Sequence, residues 1–228
     1  MKKQSQPESL ATILCSLCFS TELHPVKHLQ IPDRTYYHCQ QCDLIFMDPQ
    51  QHATPQAEKT RYEQHQNEPE NLGYLQFLRK LTAPLLQLLR EPHQKWLDYG
   101  CGPNPVLPQL LEEVAQRVTT YDPYFFPQNL SPDQKWNVIT STEVWEHFRQ
   151  PRQEITKVID LLELGGFLGV MTQLHQGPEF FSKWWYARDF THLCFYSEKT
   201  IHWLAQQWEL EVLTLHDPVI IFLKKNLA

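Results

Sequence analysis

Apolar residues change their spacing along the 228-residue chain, and the changes divide it into stretches of different character. The first 52 residues show little periodicity, and from about Gln50 to Asn71 the sequence is polar and rich in Gln, Glu and His, a linker running into a helix. Between Gly73 and Arg90, Leu75, Leu78, Leu81, Leu85, Leu88 and Leu89 recur at helical spacing, with Pro84 expected to kink or divide the run. Beyond Glu91 short apolar runs take over. Trp96 to Tyr99, Val118 to Tyr121, Trp136 to Ser141 and Phe167 to Met171 read as buried parallel strands, several ending in an acid or a glycine. Helices are expected over Leu107–Ala115, over Ile155–Leu164 with Gly165 and Gly166 closing it, and from a Ser197 cap through Gln207. Leu210–Leu215 and Val219–Leu223, joined only by His216-Asp217-Pro218, read as an antiparallel pair at a sheet edge.

Strands alternating with helices predict an α/β fold: a Rossmann-like, doubly wound sheet, mostly parallel with an antiparallel last strand, to which two Cys-x-x-Cys pairs in the first 52 residues add a small N-terminal zinc ribbon. The expected division is 1–52 for the ribbon-like segment, 53–94 for a helical linker or cap, and 95–228 for the main domain. An apolar fraction of 42% is enough to bury a core, and a formal net charge of -6 sets up no field for a polyanion. No stretch approaches the apolar length of a membrane span, and Met1 to Leu10 is polar, so the expected address is the cytoplasm.

In such a compartment six cysteines point to thiols or metal ligands. Cys15 and Cys18 form one pair at two-residue spacing, and Cys39 and Cys42 form another. Two such knuckles complete a tetrahedral four-thiolate zinc site, closed and therefore structural, with a redox dithiol pair or an iron site as alternatives. Lys27 and Arg34 are the basic residues between the pairs, offset by Glu22 and Asp33, which suits a packing or substrate-covering module better than a nucleic-acid reader. Cys101 and Cys194 lack spaced partners and read as buried or pocket-lining thiols.

The chemistry concentrates after the first parallel strand. In Leu97-Asp98-Tyr99-Gly100-Cys101-Gly102-Pro103 the glycines permit a sharp turn and a close ligand approach, with Asp98 at the carboxyl end of the strand. Asp122, about 20 residues on, ends the next strand, where an acid can accept from both ribose hydroxyls of a nucleoside or simply start the Asp122-Pro123 turn. Ser141-Thr142-Glu143-Val144-Trp145-Glu146-His147-Phe148 gathers two acids and a histidine at the same rim, and also has the composition of a helix cap. A dinucleotide site would want a third glycine, whereas this turn continues Pro103-Asn104-Pro105, and proline removes donors that a pyrophosphate uses.

Taken together, Asp98 to Gly102, Asp122 and the Glu143–His147 segment resemble the class I S-adenosylmethionine-dependent methyltransferases, and more narrowly bacterial members with an N-terminal zinc-binding segment. The match covers roughly Trp96 to Lys225. It implies a seven-stranded sheet with the last strand antiparallel, although the thirteen residues from Pro123 to Lys135 leave the usual third strand shortened or missing. It implies a cofactor site of Asp98, Gly100, Cys101, Gly102, Asp122, Thr142 and Glu143, with Asp122 on the ribose and Glu143 beside the sulfonium and substrate. The insertion from Phe180 to Tyr196 lies over the active site in that family. There Arg188 is a candidate anion holder, and His192 and Tyr186 join His147 and Glu143 as candidate catalytic groups; packing beneath a loop is the competing account of its aromatics. Tyr62, His65 and Tyr74 belong to a segment that can fold over a cofactor. The expected activity is in-line methyl transfer to a small-molecule acceptor, with no membrane and no nucleic acid. Alternatives are a cofactor-binding assembly module that docks a partner through its zinc segment and, more weakly, an RNA methyltransferase.

Overall fold

The computed structural model describes residues 13–64, 68, 70–90, 94–112 and 117–225. Met1 to Leu10, His65 and the expected end of a helix at Ala115 lie outside them. In chain order the elements are β1 (Leu23–Val26), β2 (Tyr36–Cys39), β3 (Ile45–Met47), α1 (Pro55–Tyr62), α2 (Leu72–Leu88), β4 (Lys95–Tyr99), α3 (Leu107–Glu112) and β5 (Arg117–Tyr121). They continue with β6 (Trp136–Thr142), α4 (Pro151–Leu161), β7 (Leu162–Met171), α5 (Pro178–Phe181), β8 (Cys194–Phe195), α6 (Glu198–Gln207), β9 (Leu210–His216) and β10 (Val219–Lys224). Among the described residues no helix is long and apolar enough to cross a membrane.

Six strands form the main sheet in the order β5-β4-β6-β7-β10-β9. The β5, β4, β6 and β7 neighbours pair in parallel, and β10 runs antiparallel to both β7 and β9. This is the mixed, mostly parallel Rossmann-like sheet expected from the alternation, with six strands among the described residues where the resemblance implied seven. The stretch 123–135 contributes only a turn and the isolated Asp122–Phe126 bridge. The closing antiparallel pair lies at the sheet edge as expected, with β9 outermost and β10 between it and β7.

Strand alternation explains the two cores. Trp96, Val138, Met171 and Ile221 face one side, where they meet Leu78, Leu81 and Leu85 of α2. Leu97, Ile139, Leu168, Val170 and Phe222 face the other side, against Ile155 and Val158 of α4 and Ile201 and Leu204 of α6. Helix α2 rides close to the sheet because Gly169 has no side chain: a Cβ there would lie 2.7 Å from Leu85 Cδ1. Pro84 sits inside this helix without ending it.

The expected helix over Ile155–Leu164 is instead α4, ending at Leu161, with Leu162 to Gly166 already in β7. Gly165 takes φ 75° within the strand, and the pairing of β6 with β7 is irregular between Trp136 and Val138. A Cβ on Gly166 would meet the Asn137 and Glu163 carbonyl oxygens at 2.9 Å, so the two glycines serve a bulge rather than a helix end.

A second sheet, β1-β2-β3-β8, joins the cysteine segment to the insertion, because β8 adds to β3 in antiparallel fashion. Its residues Tyr36, Phe46 and Phe195 belong to the same buried cluster as Trp145 and Phe222 of the large sheet's core. Ser197 caps α6 with a reciprocal pair of bonds to Thr200, as the sequence suggested.

Between β4 and α3 the chain turns through Gly100 at φ 85° and Gly102 at φ 67°. A Cβ at Gly100 would lie 2.5 Å from Val144 Cγ2, so the position is closed to side chains by backbone angle and by packing alike. Gly100→Ala is expected to cost about 2–4 kcal/mol in urea unfolding, from left-handed strain plus overpacking, and adding Val144→Ala should return the packing share. Phe222→Ala, which empties a fully buried site stacked on Trp145, should cost about 3–5 kcal/mol in the same measurement.

Candidate functional site

The carboxyl ends of β4, β5 and β6 open onto a cavity of about 630 Å³. Register puts them together: Asp98 pairs with Thr120 on one side and Thr140 on the other. The glycine turn is then hooked to the neighbouring strand, since the Gly100 and Cys101 N–H groups both donate to the Tyr121 carbonyl at 2.7 and 3.1 Å. Asp98 is 4% exposed and accepts from Thr140 Oγ1 at 3.3 Å, with Thr140 held in turn by the Trp96 indole N–H. Burial pushes its carboxyl up to about 7.

Asp122 performs the turn-starting role and faces the cavity as well. Its Oδ1 accepts from the N–H groups of Tyr124 and Phe125 at 2.8 and 3.1 Å, and its Oδ2 from Gly102 N–H at 3.1 Å. The acid one strand over is thereby bonded directly to the second glycine of the turn. A Cβ on Gly102 would meet nothing within 4 Å, so open space lies over that backbone.

After β6 the capping account of this segment does not hold. Ser141 and Thr142 belong to the strand, Glu143 takes the left-handed region at φ 54°, and only a single 3-10 turn, Trp145–His147, follows. That kink sends Glu143, Glu146 and His147 to the cavity wall, where the insertion brings Tyr186 and His192 to meet them. Tyr186 donates to Glu143 Oε2 at 3.3 Å, and Thr172 donates to Glu146 Oε2 at 2.9 Å. The other oxygen of each glutamate, Oε1, is buried without a hydrogen-bond partner. Burial, then the charge of Glu146, pushes the Glu143 carboxyl up to about 9. Burial, then the neighbouring His147, pushes His192 down to about 4.

The sequence-predicted residues therefore converge. Asp98, Gly100, Cys101, Gly102, Asp122 and Thr142 line the cavity, and so do the four catalytic candidates Glu143, His147, Tyr186 and His192. Tyr62 and Tyr74 line it too. Arg188 does not: its side chain is exposed, and its carbonyl accepts from Arg34. Within the insertion, Trp184 is buried among aromatic rings while Trp185 is exposed.

Two ion pairs escaped the sequence reading. Helix α1 is clipped to the cavity edge by Glu58, which is 3% exposed, pairs with Arg149 at 2.6 Å and accepts from Tyr124 at 2.9 Å. One turn later Arg61 donates twice to Asp189 Oδ2, at 2.8 and 3.0 Å. Burial raises Asp189, but bonds from Thr191 outweigh it and hold the carboxyl well below the usual range. Only the i, i+3 spacing of Glu58 and Arg61 within a polar helix hinted at a paired face; their partners lie 91 and 128 residues away.

At the far end the four cysteine sulfurs lie within 4.8 Å of one another, with Cys15–Cys42 at 3.5 Å and Cys18–Cys39 at 3.4 Å. Four thiolates at the zinc–sulfur distance of about 2.3 Å would stand about 3.8 Å apart, so the cluster has tetrahedral scale. The knuckles share one construction. In each, the residue after the second cysteine (Phe19 or Asp43) has positive φ and donates its N–H back to the first cysteine's carbonyl at 3.0 Å.

No curated protein sequence matches the chain. Among solved structures it is similar to the plantazolicin methyltransferase BpumL, crystallised with a monoazolic desmethylPZN analog and SAH, at 12% identity and a TM-score of 0.48, over 75% of this chain and 91% of that one. It is also similar to a SAM-dependent methyltransferase from Aquifex aeolicus (12%, TM-score 0.44, 69% and 98% covered) and to the YcgJ protein of Bacillus subtilis (14%, 0.46, 61% and 71%). The family model described as a methyltransferase domain matches residues 70–215, over half of the chain, from α2 into β9, and takes in all of the cavity lining except Glu58 and Tyr62 of α1. The chain belongs to that methyltransferase-domain family.

Proposed function

We propose that the chain transfers a methyl group from S-adenosylmethionine to a small-molecule acceptor. The charge of the cavity carries this reading. Glu58, Asp98, Asp122, Glu143, Glu146, Glu154 and Asp189 line it against Arg149 and Lys157, seven acidic side chains to two basic ones, with Glu58 paired to Arg149, Asp189 paired to Arg61, and Asp98 and Glu143 raised by burial so that an arriving cation favours their charged forms. Such a wall suits a sulfonium cation and repels the pyrophosphate of a dinucleotide.

The glycine turn fits the cofactor: its backbone is open above Gly102, and Asp122 Oδ2, bonded by one N–H, keeps a lone pair for a ribose hydroxyl. In this reading Asp98, Gly100, Cys101 and Gly102 surround the methionine part, and Thr142 and Glu143 stand at the methyl-bearing end. The bound cofactor supplies an already activated methyl group, so the protein's task is alignment and exclusion of water. Tyr62 and Tyr74 close the cavity from the helical segment, and the unshared Nε2 lone pairs of His147 and His192 are positioned to take a proton from an acceptor. We assign the four-cysteine cluster to a structural zinc, since four mostly buried sulfurs at this spacing leave no open coordination position.

Asp122→Asn keeps one carbonyl oxygen for the turn but sets an NH2 group against the Gly102 N–H and the ribose. Calorimetry with S-adenosylhomocysteine should show affinity reduced about 10- to 100-fold, the loss of a hydrogen bond to a charged group, with the melting temperature lowered by only a few degrees. Wild-type affinity in this variant defeats the ribose assignment. After dialysis against a mild chelator the protein should retain one zinc per chain, and Cys39→Ser should lose it together with the β-signal of the small sheet in far-UV circular dichroism.

A further inference from the structure

The histidines at the acceptor end are held in an arrangement that a proton acceptor alone does not need. His147 Nδ1 lies 2.9 Å from the Thr191 carbonyl oxygen, and His192 Nδ1 lies 2.7 Å from that of Tyr186. A carbonyl only accepts, so both Nδ1 atoms carry the hydrogen and both Nε2 atoms present bare lone pairs. Glu146 joins them: it is 0% exposed, its Oε2 is oriented by Thr172, and its Oε1 has no hydrogen-bond partner and lies 3.8 Å from His147 Nε2. One ligand atom from each of the three residues falls within 4.8 Å of the other two.

Three acceptors thus converge with no donor among them. One water has two hydrogens and leaves one acceptor unanswered. Imidazoles whose far nitrogens are fixed by backbone carbonyls, beside a carboxylate oriented by a hydroxyl, form the supporting shell that metal ligands use. From this geometry we infer that Glu146, His147 and His192 bind a divalent first-row cation of the Mn2+, Fe2+ or Zn2+ class, on the cavity wall and apart from the four-cysteine cluster. Two imidazole nitrogens and one carboxylate oxygen suit those borderline cations better than Mg2+ or Ca2+, and three protein ligands leave coordination positions open toward the cavity.

The cation extends the functional reading by naming the acceptor class. With both Nε2 lone pairs spent on the cation, an open position on it takes over from an imidazole base: the acceptor is a hydroxyl compound whose oxygen, alone or with a vicinal oxygen, is held by the metal and made more acidic by it. That second step rests on the methyl-transfer reading; cation binding does not.

The test uses the full chain with its four-cysteine zinc in place, freed of exchangeable metal by chelator dialysis. Mn2+ is titrated and followed by calorimetry and by loss of the free-ion paramagnetic resonance signal. One saturable Mn2+ per chain is expected, weakened at least tenfold in each of Glu146→Gln, His147→Gln and His192→Gln. His38→Gln, a histidine beside Asp43 in the small sheet, should bind as wild type. Thermal melting and S-adenosylhomocysteine affinity identify any variant that has merely unfolded; should the single variants unfold, Thr172→Val, which removes only the hydroxyl orienting Glu146, should still weaken Mn2+ severalfold. The absence of saturable Mn2+ binding in the wild type, or binding undiminished in the folded variants, overturns the cation site even if the cofactor product binds. Mn2+ binding without binding of S-adenosylhomocysteine keeps the cation site and overturns the methyl-transfer reading on which the acceptor class depends.

Discussion

Two N–H groups on one carbonyl organise this molecule. By donating from Gly100 and Cys101 to the Tyr121 oxygen, the turn after β4 is fastened to the end of β5, and everything at the rim is measured from that hook. It sets Gly102 against Asp122, and it fixes the height at which Val144 must pass beneath Gly100. The Val144 contact in turn locates the kink at Glu143 that turns two glutamates and a histidine toward the cavity. A residue with a side chain at position 100 would separate these three strand ends, whatever the rest of the sheet did.

Much of this was legible in the residues because it is local. Short apolar runs found the strands of the main sheet, though not those of the small one, the glycine pair and the acid 20 residues later found one wall of the cavity, and two Cys-x-x-Cys pairs found the sulfur cluster. The misses have physical causes. Gly165 and Gly166 look like a helix stop, but their function is to let β7 bulge past the Asn137 backbone, a contact invisible in a one-dimensional pattern. The strand expected to end at Ser141 runs on through Thr142, and the kink that follows at Glu143 had no signal in the residue pattern. Arg188 looked like the insertion's working cation; the insertion's acid, Asp189, is instead paired with Arg61, and Arg149 on the cavity lining is paired with Glu58, each across a long stretch of sequence. Pairings over such separations leave no periodic trace.

Carboxylates at this site divide into two populations. Glu58 and Asp189 are spent on fastening α1 to the body of the protein and carry their counter-charges with them. Asp98, Glu143 and Glu146 have no cationic partner in the structure, and burial of the first two raises them toward neutrality. Unpaired buried acids are costly to keep, and an arriving positive charge would relieve that cost at all three, in line with the proposed sulfonium cofactor.

The strand β8 links the two halves of the molecule in a more consequential way than shared core residues do. Met47, at the end of β3, donates to the Leu193 carbonyl at 2.9 Å, and Leu193 donates to the Glu146 carbonyl at 2.7 Å. The thiolate-bearing sheet is thus stitched, through two amide links, to the glutamate and both imidazoles at the acceptor wall. Disorder in the cysteine-bearing sheet therefore has a backbone route to the cavity wall, with nothing having to enter the crevice.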